Sequence, residues 1–100
     1  MEQYSVVFTS RALRDLDGIY AYIAKTLQEP GIALKLVDRI EEEILSLEYM
    51  PERYPSRKVG AYANRGYRQL IVENNTAIYR VDRAKKQVII VTVRYARSQF

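Results

Sequence analysis

The apolar residues of this chain change their period once, and that change constrains the architecture more than any other feature. Up to Leu47 they recur every three or four positions; from Tyr67 onward they alternate or run together in short β-branched stretches. The first pattern belongs to helices that bury one face, the second to strands. Between the two, Met50-Pro51-Glu52-Arg53-Tyr54-Pro55-Ser56 carries two prolines, which cannot continue a helix. The chain therefore turns there into an exposed connection running to about Asn64.

Residues 4–8 (Tyr-Ser-Val-Val-Phe) form a short opening strand, and Thr9-Ser10 supplies good helix N-caps. The first helix presents Leu13, Leu16, Tyr20, Ile23 and Leu27 on one face and is interrupted at Glu29-Pro30-Gly31. The second presents Ala33, Leu36, Ile40, Ile44 and Leu47, with Asp38, Glu41, Glu42 and Glu43 largely in water. Residues 67–72, 77–81 and 88–95 then read as strands in meander order. Glu73-Asn74-Asn75 is a hairpin turn, and residues 82–86 are a charged one. Val88-Ile89-Ile90-Val91 is apolar at every position, as a strand covered on both faces requires, and so belongs at the centre of the sheet. The expected fold is α+β, in the order βααβββ, with an antiparallel sheet packed against an N-terminal helical hairpin as one domain over residues 1–100.

The chain contains neither cysteine nor histidine. Disulfides, thiolate and imidazole metal sites and serine–histidine triads are thereby excluded, and no metal or cofactor is expected. Chemistry would have to come from Arg, Lys, Tyr, Asp and Glu. No basic leader precedes a long apolar run and no stretch reaches the roughly twenty apolar residues of a span, so a cytoplasmic protein without membrane contact is expected. The net charge of +4 conceals an asymmetry: residues 1–52 carry −5, with five Lys/Arg against ten Asp/Glu, and residues 53–100 carry +9, with eleven against two. Such a basic half attracts phosphate or an acidic protein segment.

On the last strand, strict alternation puts Ile89, Val91, Val93 and Tyr95 on one face and Val88, Ile90, Thr92 and Arg94 on the other. Arg68, Arg80 and Arg94 fall one on each of the three strands of the meander. If register aligns them, they form a cationic row with Arg65 and Arg97 at its ends, on the sheet face the helices leave open. Arginine binds phosphate by paired hydrogen bonds, and interleaved Tyr67, Tyr79 and Tyr95 suit single-stranded RNA. Tyr79, between Ile78 and Val81, reads first as a packing residue, whereas Tyr95 stands at a strand end beside Arg94. Arg83, Lys85 and Lys86 read as a solvated turn.

Thr9-Ser10-Arg11-Ala12, Asp15-Leu16, Ile19-Tyr20-Ala21-Tyr22-Ile23, the Leu47 to Pro51 connection, Gly66-Tyr67-Arg68-Gln69-Leu70-Ile71-Val72, Ile78-Tyr79-Arg80-Val81-Asp82 and Val93-Arg94-Tyr95-Ala96-Arg97 together resemble, in order and spacing, the RelE/ParE superfamily of type II toxins. The resemblance implies a toxin silenced by a small cognate antitoxin, with one of two activities. RelE-like and YoeB-like members cut messenger RNA on the ribosome; ParE-like members inhibit DNA gyrase and cut nothing. Residue by residue it implies catalytic roles for Arg68, Arg94, Tyr95 and Arg97 and phosphate binding by Arg65, Arg68 and Arg80. The nucleases place an arginine where this chain has Thr76, before Ala77-Ile78-Tyr79, and the absent histidine and long helical hairpin look like the ParE side. The expectation is ribosome-dependent RNA cleavage, with Arg80 standing in for the missing cation; the alternative is gyrase inhibition without nuclease activity.

Overall fold

The computed structural model describes residues 2–95. In chain order it contains β1 (Ser5–Phe8), α1 (Ser10–Thr26), α2 (Pro30–Leu45), two 3-10 turns (Ser46–Glu48 and Pro51–Arg53), β2 (Arg68–Val72), β3 (Asn75–Asp82) and β4 (Gln87–Tyr95). The expected βααβββ order is the observed one. Among the described residues no helix is long and apolar enough to cross a membrane.

Thr9 joins the first two elements. Its hydroxyl oxygen accepts the Ala12 N–H at 3.1 Å, satisfying one of the free donors of the α1 N-terminus. The same hydroxyl lies 2.9 Å from the Val91 carbonyl, tying the start of the helix to β4. Pro30 occupies the first turn of α2, where its missing N–H costs nothing, so the break between the helices precedes it, with Gln28 in the left-handed region at φ 53°.

The strands form one sheet in the order β1-β4-β3-β2. β2, β3 and β4 make the expected antiparallel meander, and β4 is central. β1 pairs with β4 in parallel, Ser5 opposite Gln87 through Phe8 opposite Ile90, so the sheet is mixed rather than wholly antiparallel. The β2–β3 turn is tighter than expected: Val72 already pairs with Asn75, and Glu73 takes the positive φ of 55°. Asn75 is thus a buried strand residue and not part of the turn.

One face of the sheet packs against both helices. Ala12, Leu16 and Ile19 of α1 and Val37, Ile40 and Ile44 of α2 meet Leu70, Val72, Ala77, Tyr79, Val88, Ile90 and Val93. The α2 face agrees with the periodicity, except that Val37 replaces Leu36 as the buried member. The α1 face is rotated from expectation: Leu13 and Leu27 are about half exposed, and Ala12 and Ile19 are buried instead. Alanine marks the close approach, because only a small side chain lets the helix lie against its neighbours.

A β-bulge interrupts β4. Ile78 pairs with Thr92 and Tyr79 with Ile90, leaving Val91 as the extra residue. Alternation therefore fails across it. Val88, Ile90 and Val93 share the helix-facing side, and Thr92 and Arg94 take the other, which corrects the faces read from strict alternation.

The second sheet face is not left open. Ile78 and Thr92 on it are fully buried yet lie outside the helix-side core. The chain between the 3-10 turns and β2 folds over them. Arg57, itself buried, donates from Nη1 to Gln69 Oε1 at 3.0 Å and from Nε to the Ala61 carbonyl at 3.1 Å. Its backbone also exchanges bonds with Tyr67 and Asn64.

Candidate functional site

Register decides which of the predicted site residues meet. Arg68 stands directly opposite Tyr79, so its side chain leaves β2 on the helix-facing side. Arg80 and Arg94 oppose Ile89 and Thr76 and lie on the other side. No three-arginine row exists: two members share a face, the third is across the sheet, and Arg97 lies outside the described residues. Arg80 and Thr76 are four residues apart along β3, which is about 13 Å. The cation beside Thr76 is Arg94, its cross-strand partner, and not Arg80.

Arg68 is engaged. Its Nη1 donates to the Tyr54 carbonyl at 2.7 Å, and its Nη2 lies 3.5 Å from Glu52 Oε2. Glu52 also accepts from Arg83, from Nε at 2.8 Å and from Nη2. The hydrogen bond from Arg83, more than the charge of Arg68, holds the Glu52 carboxyl below its usual range. Under this cluster the Tyr79 hydroxyl donates to the Pro51 carbonyl at 2.6 Å, and burial pushes its pKa up to about 12. Tyr79 is thus a packing residue that clamps the proline connection to the sheet, as its apolar neighbours suggest. Where β3 runs past the start of β2, Arg68, Arg80 and Arg83 line a depression of about 560 Å3 together with Glu52 and Asp82. It is basic but largely neutralised.

At the opposite end of the sheet, β1 stops at Phe8 and leaves the rest of the β4 edge to α1. Asp15 fills that gap: its Oδ2 accepts the Val93 N–H at 3.1 Å and the Thr92 hydroxyl. Thr92 Oγ1 in turn accepts from Arg94 Nε at 3.2 Å. A hydrogen-bonded chain Asp15–Thr92–Arg94, buried at Thr92, therefore holds the Arg94 side chain at this end of the sheet. Arg94 lines a depression of about 500 Å3 with Arg11 and Arg65.

Tyr95 is turned away from Arg94. Successive strand residues point to opposite faces, and Tyr95 packs on the helix side with its ring 6.4 Å from that of Tyr22. It lines a mostly apolar groove of about 420 Å3 with Tyr22, Ile19 and Val93, and a second groove in which the Asn75 side chain is buried without a hydrogen-bond partner among the described residues. Arg14, Asp15 and Arg94 line the first groove as well, so the Arg94 side chain and the Tyr95 ring border one depression. Among the described residues there is no cluster of carboxylates able to hold a metal ion.

The contacts that Asp15, Glu52 and Arg57 make are not legible in the sequence. Asp15 stands in the sequence as one more charged residue of an amphipathic helix, and only the early end of β1 gives it a role.

Comparison with known proteins agrees with this architecture. The family model described as "ParE toxin of type II toxin-antitoxin system, parDE" matches residues 6–100. A chain of the chromosomal ParDE system from P. aeruginosa superimposes with a TM-score of 0.79 at 27% identity, covering 97% of this chain and 100% of that one. Chains of the RelBE2 toxin–antitoxin complex from Mycobacterium tuberculosis (TM-score 0.63, 23% identity, 95% and 93% covered) and of the intact E. coli RelBE complex (0.58, 15%, 95% and 99%) share the fold. No curated protein matches the chain. A family match over nearly the whole length, on a fold of the expected order, makes this chain a member of the ParE toxin family of type II toxin–antitoxin systems.

Proposed function

We propose that this toxin arrests growth by inhibiting DNA gyrase in the cytoplasm, without cleaving RNA, and that a cognate antitoxin neutralises it. The observation that carries the reading is the dispersal of the groups a nuclease would have to bring together. Arg68 is spent on Glu52 and Tyr54, Arg94 lies across the sheet from it, and Tyr95 faces the helices. A general acid or base must lie within hydrogen-bond reach of the reacting group, and a cation must face the charge that develops on phosphate. Thr76, where the resembling nucleases carry arginine, adds no cation for that purpose. The family match to ParE toxins points the same way, and solved relatives named as toxin–antitoxin complexes support an antitoxin partner.

The ribosome-dependent reading retains one supporting observation, the placement of Arg80 and Arg94 on a common face. Two assays separate the readings. Purified toxin added to gyrase and relaxed plasmid should block supercoiling and accumulate cleaved plasmid, and adding the antitoxin should restore supercoiling. Toeprinting of messenger on ribosomes should show unchanged transcripts; new toxin-dependent stops would overturn the proposal in favour of cleavage.

A further inference from the structure

Among the described residues, Asn75 alone buries side-chain polar atoms that meet no hydrogen-bond partner: both its Nδ2 and its Oδ1 are enclosed and unbonded. Ala77 and Tyr79 of β3 point into the core beneath the helices, and alternation puts Asn75 on the same side, opposite the core residue Val72. There it faces the groove of about 310 Å3 between the C-terminal end of α1, the N-terminal end of α2 and the β2–β3 turn. An amide carries two donors and an acceptor oxygen, and leaving them unmet inside a protein costs the desolvation of the whole group. Leucine, of nearly the same volume, would avoid that cost, so packing alone gives no reason for an amide at this position.

The walls exclude most ligand classes. Ile23, Leu27, Ile32 and Leu36 make them aliphatic, and the Tyr22 and Tyr95 rings add aromatic surface. Among the described residues that line the groove, Glu73 alone is charged, and it is paired with Arg39 at 3.7 Å. An anion would thus find no cation here, and a buried charge without a partner is strongly disfavoured. A peptide backbone fits poorly as well. Its trans amide points N–H and C=O in opposite directions, so it can satisfy only one end of the Asn75 amide.

The geometry points to a ligand site in which Asn75 binds a small uncharged molecule by a lactam or primary-carboxamide edge while the walls contributed by α1 and α2 hold its aliphatic body. In such an edge C=O and N–H stand side by side: the carbonyl accepts from Asn75 Nδ2 and the N–H donates to Oδ1. Both ends of the buried amide are then bonded in a place shielded from water, where hydrogen bonds are stronger than at the surface. The amide is closed off from solvent, so entry requires a wall side chain to turn aside; Tyr22, Leu27 and Ile32 are each more than half exposed and have the room to do so. The volume lies at the small end of the range of small-ligand sites. The site uses none of the arginines of the sheet and does not depend on the gyrase reading.

Titration of the isotope-labelled protein with ε-caprolactam, followed by NMR, tests it. The Asn75 side-chain NH2 resonances should shift saturably at millimolar concentration, and hexanamide should shift them too. N-methyl-caprolactam keeps the ring and the carbonyl but cannot donate, and should bind about ten-fold more weakly. Hexanoate should leave the resonances unmoved. Asn75→Leu should abolish the preference for caprolactam over its N-methyl derivative and raise the urea midpoint, because the unmet amide is gone. Leu45→Ala, exposed and outside the groove, should keep the preference. Equal affinity of the wild-type protein for the two lactams overturns the proposal without recourse to any variant. So does an absence of shifts with caprolactam, tighter binding of hexanoate than of hexanamide, or an Asn75→Leu protein that still prefers the N–H lactam.

Discussion

Thr76 and Arg94 stand directly opposite one another across the β3–β4 ladder, on the sheet face turned away from the helices. The position at which the resembling nucleases carry arginine is therefore already beside a cation in this chain, supplied by the neighbouring strand. Whether that cation serves chemistry depends on what else reaches it; the Tyr95 ring packs against Tyr22 on the helix side and borders one groove with Arg94.

Thr76→Arg should not install nuclease activity. It would set two guanidiniums face to face, and directly opposed like charges in a sheet destabilise by up to about 1 kcal/mol. Urea denaturation should show this loss, and toeprinting of the variant on ribosomes should still show uncut messenger. A gain of cleavage would mean that Thr76 alone had disabled a working site.

Asp15→Ala should be among the most damaging single changes on α1, despite removing a charged residue. It leaves the fully buried Thr92 hydroxyl and the Val93 N–H without their acceptor. Unsatisfied buried donors cost about 1–3 kcal/mol each, so a loss of about 2–4 kcal/mol is expected in chemical denaturation. Asp17→Ala, two residues on and exposed, should change stability by less than about 0.5 kcal/mol.

Tyr79→Phe should cost about 1 kcal/mol at neutral pH through the lost bond to the Pro51 carbonyl. It should also change the alkaline limb. The folded-state pKa of Tyr79, about 12, lies above its ordinary value of 10.0, so ionisation is resisted in the fold but not in the unfolded chain. The corresponding stability is fully present below pH 10 and is lost as pH rises from 10 to about 12, on the order of 3 kcal/mol. Unfolding free energies of the wild-type protein and Y79F should therefore converge and then cross over that interval.

Glu52→Gln acts at the other end of the pH scale. Because Arg83 and Arg68 hold the Glu52 carboxyl below its ordinary range, its contribution is present above that range and disappears as pH falls through the lowered value. The variant should be less stable than the wild type at pH 7 and should show a shallower loss of stability on acidification, measured by denaturation between pH 7 and pH 3. The effect should be small and should shrink in high salt, since the Arg83 partner is exposed.

Element order was legible because it rests on local signals. The proline pair at Pro51 and Pro55, the N-cap Thr9 and the change of hydrophobic period each act within a few residues of chain. The apolar run 88–91 placed β4 at the centre of the sheet for the same kind of reason. The α1 face was misjudged because that helix has apolar residues on more than one side, and Leu13 and Leu27 satisfy helical spacing as well as Ala12 and Ile19 do. The site was less legible than the fold. A cationic face on β2–β4 follows from composition, but the side on which each arginine lies depends on pairing, and one residue of slip or one bulge inverts it.

The sequence by itself determined the βααβββ order, the meander of the last three strands, the basic half and the absence of any histidine or cysteine chemistry. Tertiary structure alone decided that β1 joins β4 in parallel, that the bulge at Val91 sends Val93 inward and Arg94 outward, that Arg68 is paired off by Glu52, and that Arg11 comes to lie with Arg65 and Arg94. The physical reason is range. Propensity and periodicity are properties of neighbouring residues, whereas register, charge pairing and the meeting of residues 11, 65 and 94 are fixed only when segments distant in sequence compete for the same edge or partner.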